Sequence, residues 1–404
     1  MPRNGISLWS LGLIAVAAAM LATSVDAKPA VAGPWTKYEN LESVTGADGQ
    51  THAATCSSLP GTNPAFSFWA KKGASKNLVV FFEGGGACWD NLTCSFPIGS
   101  GLPPSAPQFY VSQIAPGANP AAYSGLFDQA NPANPVKDWS FVYIPYCTGD
   151  IHVGSATRTY SNAGNPFLPP TYSIQHRGYD NFMVVLDWIR KNIEAPKSIL
   201  VTGSSAGGYG AGAHFPWLAD TYPNAHVYVL ADASQGVSTQ AFDNGNPGRN
   251  SWNPQLPPWI YGPPPTSVPG PDLLRMATEA YPHAKVSQFT TKLDTVQYSF
   301  YAVQKQFYGP GGTCPNPAPD WNQQMLGTLG SYGSEVNNFR YYLADGTYHT
   351  IMRSPLFYTE SSPGIVFSEW LGAMLQNRGG TRGTGGGNWQ DVACPTCLQP
   401  LPCP

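Results

Sequence analysis

Apolar positions along the chain fall into two rhythms. Short uninterrupted apolar runs recur near residues 77–82, 140–145, 199–201, 226–231, 286–290 and 338–343. Runs of that length suit strands covered on both faces, as in a parallel sheet. Between them, Phe182, Val185, Leu186, Ile189 and Ile193 recur at helical spacing. Residues 273–281, 296–307 and 365–375 also read as helices, and a small-residue helix runs on towards Tyr222. Strands alternating with helices predict an α/β domain with a mostly parallel central sheet flanked by helices. Two stretches break the alternation and read as long loop insertions. Residues 95–135 are crowded with Pro, Gly, Ala and Asn, and residues 238–271 with Pro, Asn, Gly and Trp. The second is expected on the surface, where lids and substrate loops lie.

Composition narrows the class. Of 404 residues 42% are apolar, enough for a sizeable core, while only 11% are charged, well below the usual share. Gly (43) and Pro (40) are abundant, which fits a loop-rich extracellular protein. The net charge of -3 and scattered Lys and Arg offer no basic patch, so nucleic-acid binding is not expected. Arg3, an apolar run over 11–22 and Val25-Asp26-Ala27 read as a secretory signal, its apolar part too short for a membrane span. Eight cysteines follow it, at 56, 88, 94, 147, 314, 394, 397 and 403. An even count in an exported chain predicts disulfides. Cys88 and Cys94 would close a small loop. Cys394 and Cys397 stand in a Pro-rich tail without a second such pair, which favours a structural bridge over a metal or redox pair. The full pairing stays open.

The candidate chemistry centres on Gly203-Ser204-Ser205-Ala206-Gly207, which follows the run at 199–201. A G-x-S-x-G pattern between strand and helix is a nucleophile elbow, with Ser205 on the strained turn. A serine hydroxyl needs a base and a group that orients it. Of the later histidines, His214 falls in the elbow helix, His226 opens a strand and His283 lies in a turn. His349 follows the last strand, where this architecture places its base. Two acids fit equally well, Asp232 and Asp294; Asp345 is expected to shape the Asp-Gly turn. A developing oxyanion needs preorganised N–H donors. The amide of Ala206 and the loop Gly84-Gly85-Gly86 are placed to supply them.

Taken together, these pieces resemble the pectin acetylesterases and Notum-type carboxylesterases. The matching segments are Phe82-Glu83-Gly84-Gly85 with Cys88, Tyr146-Cys147-Thr148-Gly149-Asp150, the Ser205 elbow with Gly208, Leu293-Asp294, and Tyr342 through His349. The resemblance implies an α/β-hydrolase fold and a serine esterase with Ser205 as nucleophile, Asp294 as acid and His349 as base. It also implies Gly85, Gly86 and Ala206 as oxyanion donors, and Asp232 as structural. The family often carries an aromatic residue where Gly86 stands. The implied substrate is an O-acetylated polysaccharide such as pectin, with no cofactor and no metal. The alternatives are a lipid, small-ester or polyester acyl hydrolase, and a non-catalytic carbohydrate-binding protein on the same fold. A deep apolar pocket under Ser205 would favour the acyl hydrolase, and a shallow aromatic groove the polysaccharide. The expected organisation is a signal peptide over 1–27, an esterase domain over 28–378 and a Gly-rich linker with a Cys/Pro-rich tail over 379–404. The expected setting is secreted or periplasmic, as a monomer, with no membrane contact after signal cleavage.

Overall fold

The computed structural model describes residues 33–403, apart from 47, 100, 104–105, 264–267, 310–311, 313 and 377–388. The expected signal peptide and the Gly-rich linker lie outside the described residues.

Nine strands form one sheet among the described residues. They are β1 (Thr36–Tyr38), β2 (Phe68–Lys71), β3 (Asn77–Phe82), β4 (Ser140–Ile144), β5 (Ser198–Ser204), β6 (His226–Asp232), β7 (Lys285–Thr291), β8 (Phe339–Ala344) and β9 (Val392–Ala393). Their spatial order is β1-β2-β4-β3-β5-β6-β7-β8-β9. β1 and β2 pair antiparallel, as do β2 and β4, and every later pairing is parallel. Six helices of ten or more residues, or nearly so, accompany the sheet: α1 (Gly178–Asn192), α2 (Ala206–Thr221), α3 (Asp272–Ala280), α4 (Thr295–Tyr308), α5 (Pro317–Glu335) and α6 (Phe367–Gln376).

The uninterrupted apolar runs follow from this layering. Side chains alternate across a strand, and both faces of this sheet are covered. Val80 and Phe82 pack with Phe182, Phe215 and Trp321 on one face; Val79 and Phe81 pack with Tyr143, Phe289, Trp370 and Met374 on the other. Each such fully buried side chain contributes roughly 1.5–3 kcal/mol relative to exposure.

Besides short pieces such as β9 and the helical turn Asn91–Ser95, two larger elements were not foreseen. One is α5, capped by Asn316 with Pro317 in its first turn. The other is a hairpin pairing Ala156–Ser161 with Thr171–His176. Residues 238–271 also differ from the surface insertion expected. Phe242, Arg249 and Trp252 are buried, and Trp252 Nε1 donates to Cys88 O at 2.7 Å. Their apolar bulk packs against Trp89 and Ile151, so part of this segment forms an inner wall.

Four disulfides join Cys56 to Cys147, Cys88 to Cys94, Cys314 to Cys403 and Cys394 to Cys397. The tail is thus fastened twice, by β9 in the sheet and by Cys403 to Cys314.

Candidate active site

Ser205 joins the end of β5 to the start of α2 with φ 58° and ψ -123°. A side chain in that region costs on the order of 1–3 kcal/mol and persists only where its surroundings hold it. Here Ser205 N donates to Asp232 O at 2.7 Å, and Gly208 N to Ser205 O at 2.9 Å. The flanking glycines are required sterically. A Cβ on Gly207 would lie 2.0 Å from Phe82 O, and one on Gly203 2.3 Å from Gly207 O.

β7 leads into Asp294, which caps α4 by accepting from the amides of Val296 and Gln297, each at 3.0 Å. Gln297 Nε2 donates to Oδ2 of the same carboxylate at 3.0 Å. His349 lies in the loop after β8. Its Nδ1 meets the Asp294 carboxylate at 2.8 and 2.9 Å. Its Nε2 is buried and has no hydrogen-bond partner among the described residues. Ser205 and His349 line the same two cavities. Ser205, Asp294 and His349, far apart in sequence, are therefore brought together at the C-terminal end of the parallel strands.

Asp232 takes a different position. Its carboxylate accepts from Ser204 Oγ at 2.7 Å, Ile351 N at 3.0 Å and Met352 N at 3.0 Å. Burial raises its pKa to about 6, opposed by these donors and by nearby His349. The other histidines stand apart. His214 is buried, stacked on Phe182, with Nε2 2.7 Å from His152 O. His226 and His283 are exposed, and exposed Asp345 accepts from Gly346 N at 2.8 Å in its turn.

The loop after β3 packs directly on the elbow. A Cβ on Gly84 would lie 2.4 Å from Ser204 O. Gly86 has φ +72°, and a Cβ there would sit 1.8 Å from Phe109 O. Ala206 opens α2, so its amide has no acceptor within the helix. Two cavities meet here: Gly85 lines the wider, open one, Ala206 the narrower one and Gly86 both.

The narrower cavity has a volume of about 90 Å³ and is walled by Trp89, Ile151, Phe242, Trp252 and Phe300, with Arg249 among them. The open cavity, about 640 Å³, is bordered by Gln108, Phe109, Tyr348, Arg353 and Leu356. Arg353 pairs with Glu83 at 2.8 Å and lies over the ring of Tyr123. Sequence reasoning did not find Gln297, Arg249 or the aromatic wall. Gln297 sits three residues after Asp294, one helical turn on, which was the available signal. The two cysteine-containing clusters with metal-like spacing, Cys88–Cys94 with His176 and Cys394–Cys397 with Asp345, have their sulfurs in disulfides and offer no thiolate.

Comparison with known proteins identifies the family. The chain matches the family described as pectinacetylesterase over residues 38–253, just over half its length. That match contains Ser205 and Asp232 and ends before Asp294 and His349. The palmitoleoyl-protein carboxylesterase notum1 of Xenopus laevis is 29% identical over 189 residues, covering 45% of this chain and 34% of that protein. Pectin acetylesterase 11 of Arabidopsis thaliana is 24% identical over 192 residues, covering 46% of this chain and 44% of that protein. The matched segments thus span less than half the length of these relatives. On the family match, with the fold and elbow that accompany it, the chain belongs to the pectinacetylesterase family.

Proposed function

We propose that the protein is a carboxylic ester hydrolase working through Ser205, His349 and Asp294. The observation that carries this reading is His349: Nδ1 is fixed by the Asp294 carboxylate, while buried Nε2 has no partner beside the cavities that Ser205 lines. An imidazole oriented in this way takes a proton at Nε2. His349 accepts the Ser205 hydroxyl proton as Oγ attacks the ester carbonyl. The alkoxide that develops is met by N–H donors of Gly85, Gly86 and Ala206. The tetrahedral intermediate collapses, the alcohol leaves with the proton from His349, and an acyl-enzyme remains. Water, deprotonated by His349, then releases the acid and restores Ser205.

The two cavities suggest a division of the substrate. The narrower cavity takes the acyl group and the wider one the alcohol. The family supports an acylated polysaccharide such as pectin as the alcohol part. The narrower cavity has room for roughly three waters at about 30 Å³ each, more than an acetyl methyl needs, which favours the acyl-hydrolase reading with a longer acyl group. Four disulfides fit an oxidising compartment, secreted or periplasmic. No helix among the described residues is long and apolar enough to cross a membrane.

The test is hydrolysis of a series of p-nitrophenyl esters, from acetyl to long acyl chains, by the wild type and S205A. Activity that falls by several orders of magnitude in S205A supports the reading. Equal activity in both proteins, or none on any ester, overturns it.

A further inference from the structure

The narrower cavity is walled by aromatic rings, yet Arg249 also lines it. Arg249 belongs to the segment after β6 and is 3% exposed. Its ion-pair partner is Asp243, with Nη1 3.5 Å from Oδ1. Its Nη2 is buried and has no hydrogen-bond partner among the described residues. Asp243 is better supplied. Ser238 Oγ lies 2.9 and 2.8 Å from its two oxygens, and Gly270 N donates at 2.9 Å. The acid is therefore satisfied, while the guanidinium keeps an unmatched donor, and Arg249 lines the same cavity as Ser205. Such a donor is costly to bury without an acceptor. A guanidinium fork matches a planar carboxylate.

We propose that Arg249 forms a carboxylate subsite, and that the enzyme takes esters whose acyl group ends in a second carboxylate: hemiesters of short dicarboxylic acids. The proposal rests on the ester-hydrolase reading above. Size and position favour the acyl side. The cavity, about 90 Å³, holds roughly three waters at about 30 Å³ each, room for a short chain and not for a sugar ring. Arg249 does not border the open cavity where a sugar would lie. In each turnover the Ser205 Oγ–acyl bond forms as the alcohol oxygen leaves with a proton. One water then breaks that bond. The products are an alcohol, a dicarboxylate and one proton.

The test compares methyl hydrogen glutarate with methyl pentanoate, whose acyl chains have equal length, by methanol release. In the wild type the hemiester is expected to exceed the neutral ester in kcat/KM by about tenfold or more. R249M is expected to bring that ratio to about one or below through KM, and R249K to keep part of it. Free glutarate is also expected to inhibit the wild type competitively on methyl pentanoate, a measurement that needs no variant. Equal rates on the two esters, with no inhibition by glutarate, overturn the subsite. So does a preference for acetylated uronic acid over acetylated hexose without a preference for the hemiester, which moves the carboxylate to the alcohol side. No hydrolysis of any ester, neutral ones included, overturns the ester-hydrolase reading itself.

Discussion

Asp232 grips Ile351 through two hydrogen bonds from one backbone amide, at 3.0 and 3.1 Å. The same carboxylate accepts from Ser204 Oγ, and the Asp232 carbonyl accepts from Ser205 N. One residue at the end of β6 therefore fixes both the turn that carries Ser205 and the loop that carries His349.

Replacing Asp232 by alanine leaves the Ser204 hydroxyl and the amides of Ile351 and Met352 without their acceptor. Each unmet buried donor costs about 1–3 kcal/mol, so D232A is expected to lose about 3–5 kcal/mol of stability in urea unfolding. D232N keeps one acceptor oxygen and is expected to lose less. Activity on a short ester is expected to fall in both, because the two arms of the site lose their common tie.

D294N separates orientation from stability. Asparagine caps a helix about as well as aspartate, so the stability change is expected to stay within about 1 kcal/mol. The carboxylate that orients His349 is lost, and kcat on p-nitrophenyl acetate is expected to drop about 10⁴-fold with KM little changed. A small drop in kcat would mean that Asp294 is only a helix cap.

Strain at Ser205 is measurable with two inactive variants. S205A keeps a Cβ at φ 58°, while S205G removes it. Relief of about 1–3 kcal/mol of strain outweighs the roughly 0.5–1 kcal/mol entropic cost of glycine. S205G is therefore expected to unfold at higher urea than S205A. The reverse order would mean that the turn stores no strain.

Buried histidines set the acid limit of stability. Burial lowers the pKa of His152 and His176 to about 4, and of His214 to about 3. Between about pH 6.5 and pH 4 the unfolded chain binds protons that these folded histidines refuse, so they withdraw stability as pH falls. Asp150 and Asp232, raised by burial to about 6, act in the opposite direction over that window, since their folded forms hold protons that the unfolded carboxylates release. H214Q removes one histidine and keeps a donor for His152 O. Its stability is expected to depend less steeply on pH in this window, by up to about 1.4 kcal/mol per pH unit. Denaturant unfolding across the pH series reads the slope.

Much of this arrangement was legible in the chain. The strands were visible because both faces of the sheet are buried, which removes polar positions from runs such as Asn77–Phe82. The elbow was visible because its glycines answer local steric demands. Asp232 and Asp294 could not be separated by pattern, since each follows a strand of the same sheet; the family resemblance favoured Asp294, and their contacts distinguish them physically. Helix α5 carries Trp321, Met325 and Leu329 at helical spacing, but Gly327, Gly330 and Gly333 weakened that signal. The Arg249 wall was hidden for another reason: a Pro- and Gly-rich composition gives no sign of which way a segment turns, and this one turns inward.

β9 has a consequence that its two residues understate. β8, which delivers the chain to His349, has β7 on one side and, among the described residues, only Val392–Ala393 on the other. Without that cover β8 would present unpaired amides and carbonyls along an apolar strand, an open template for another chain. The short tail strand thus guards against aggregation, and truncation before it would show first as self-association.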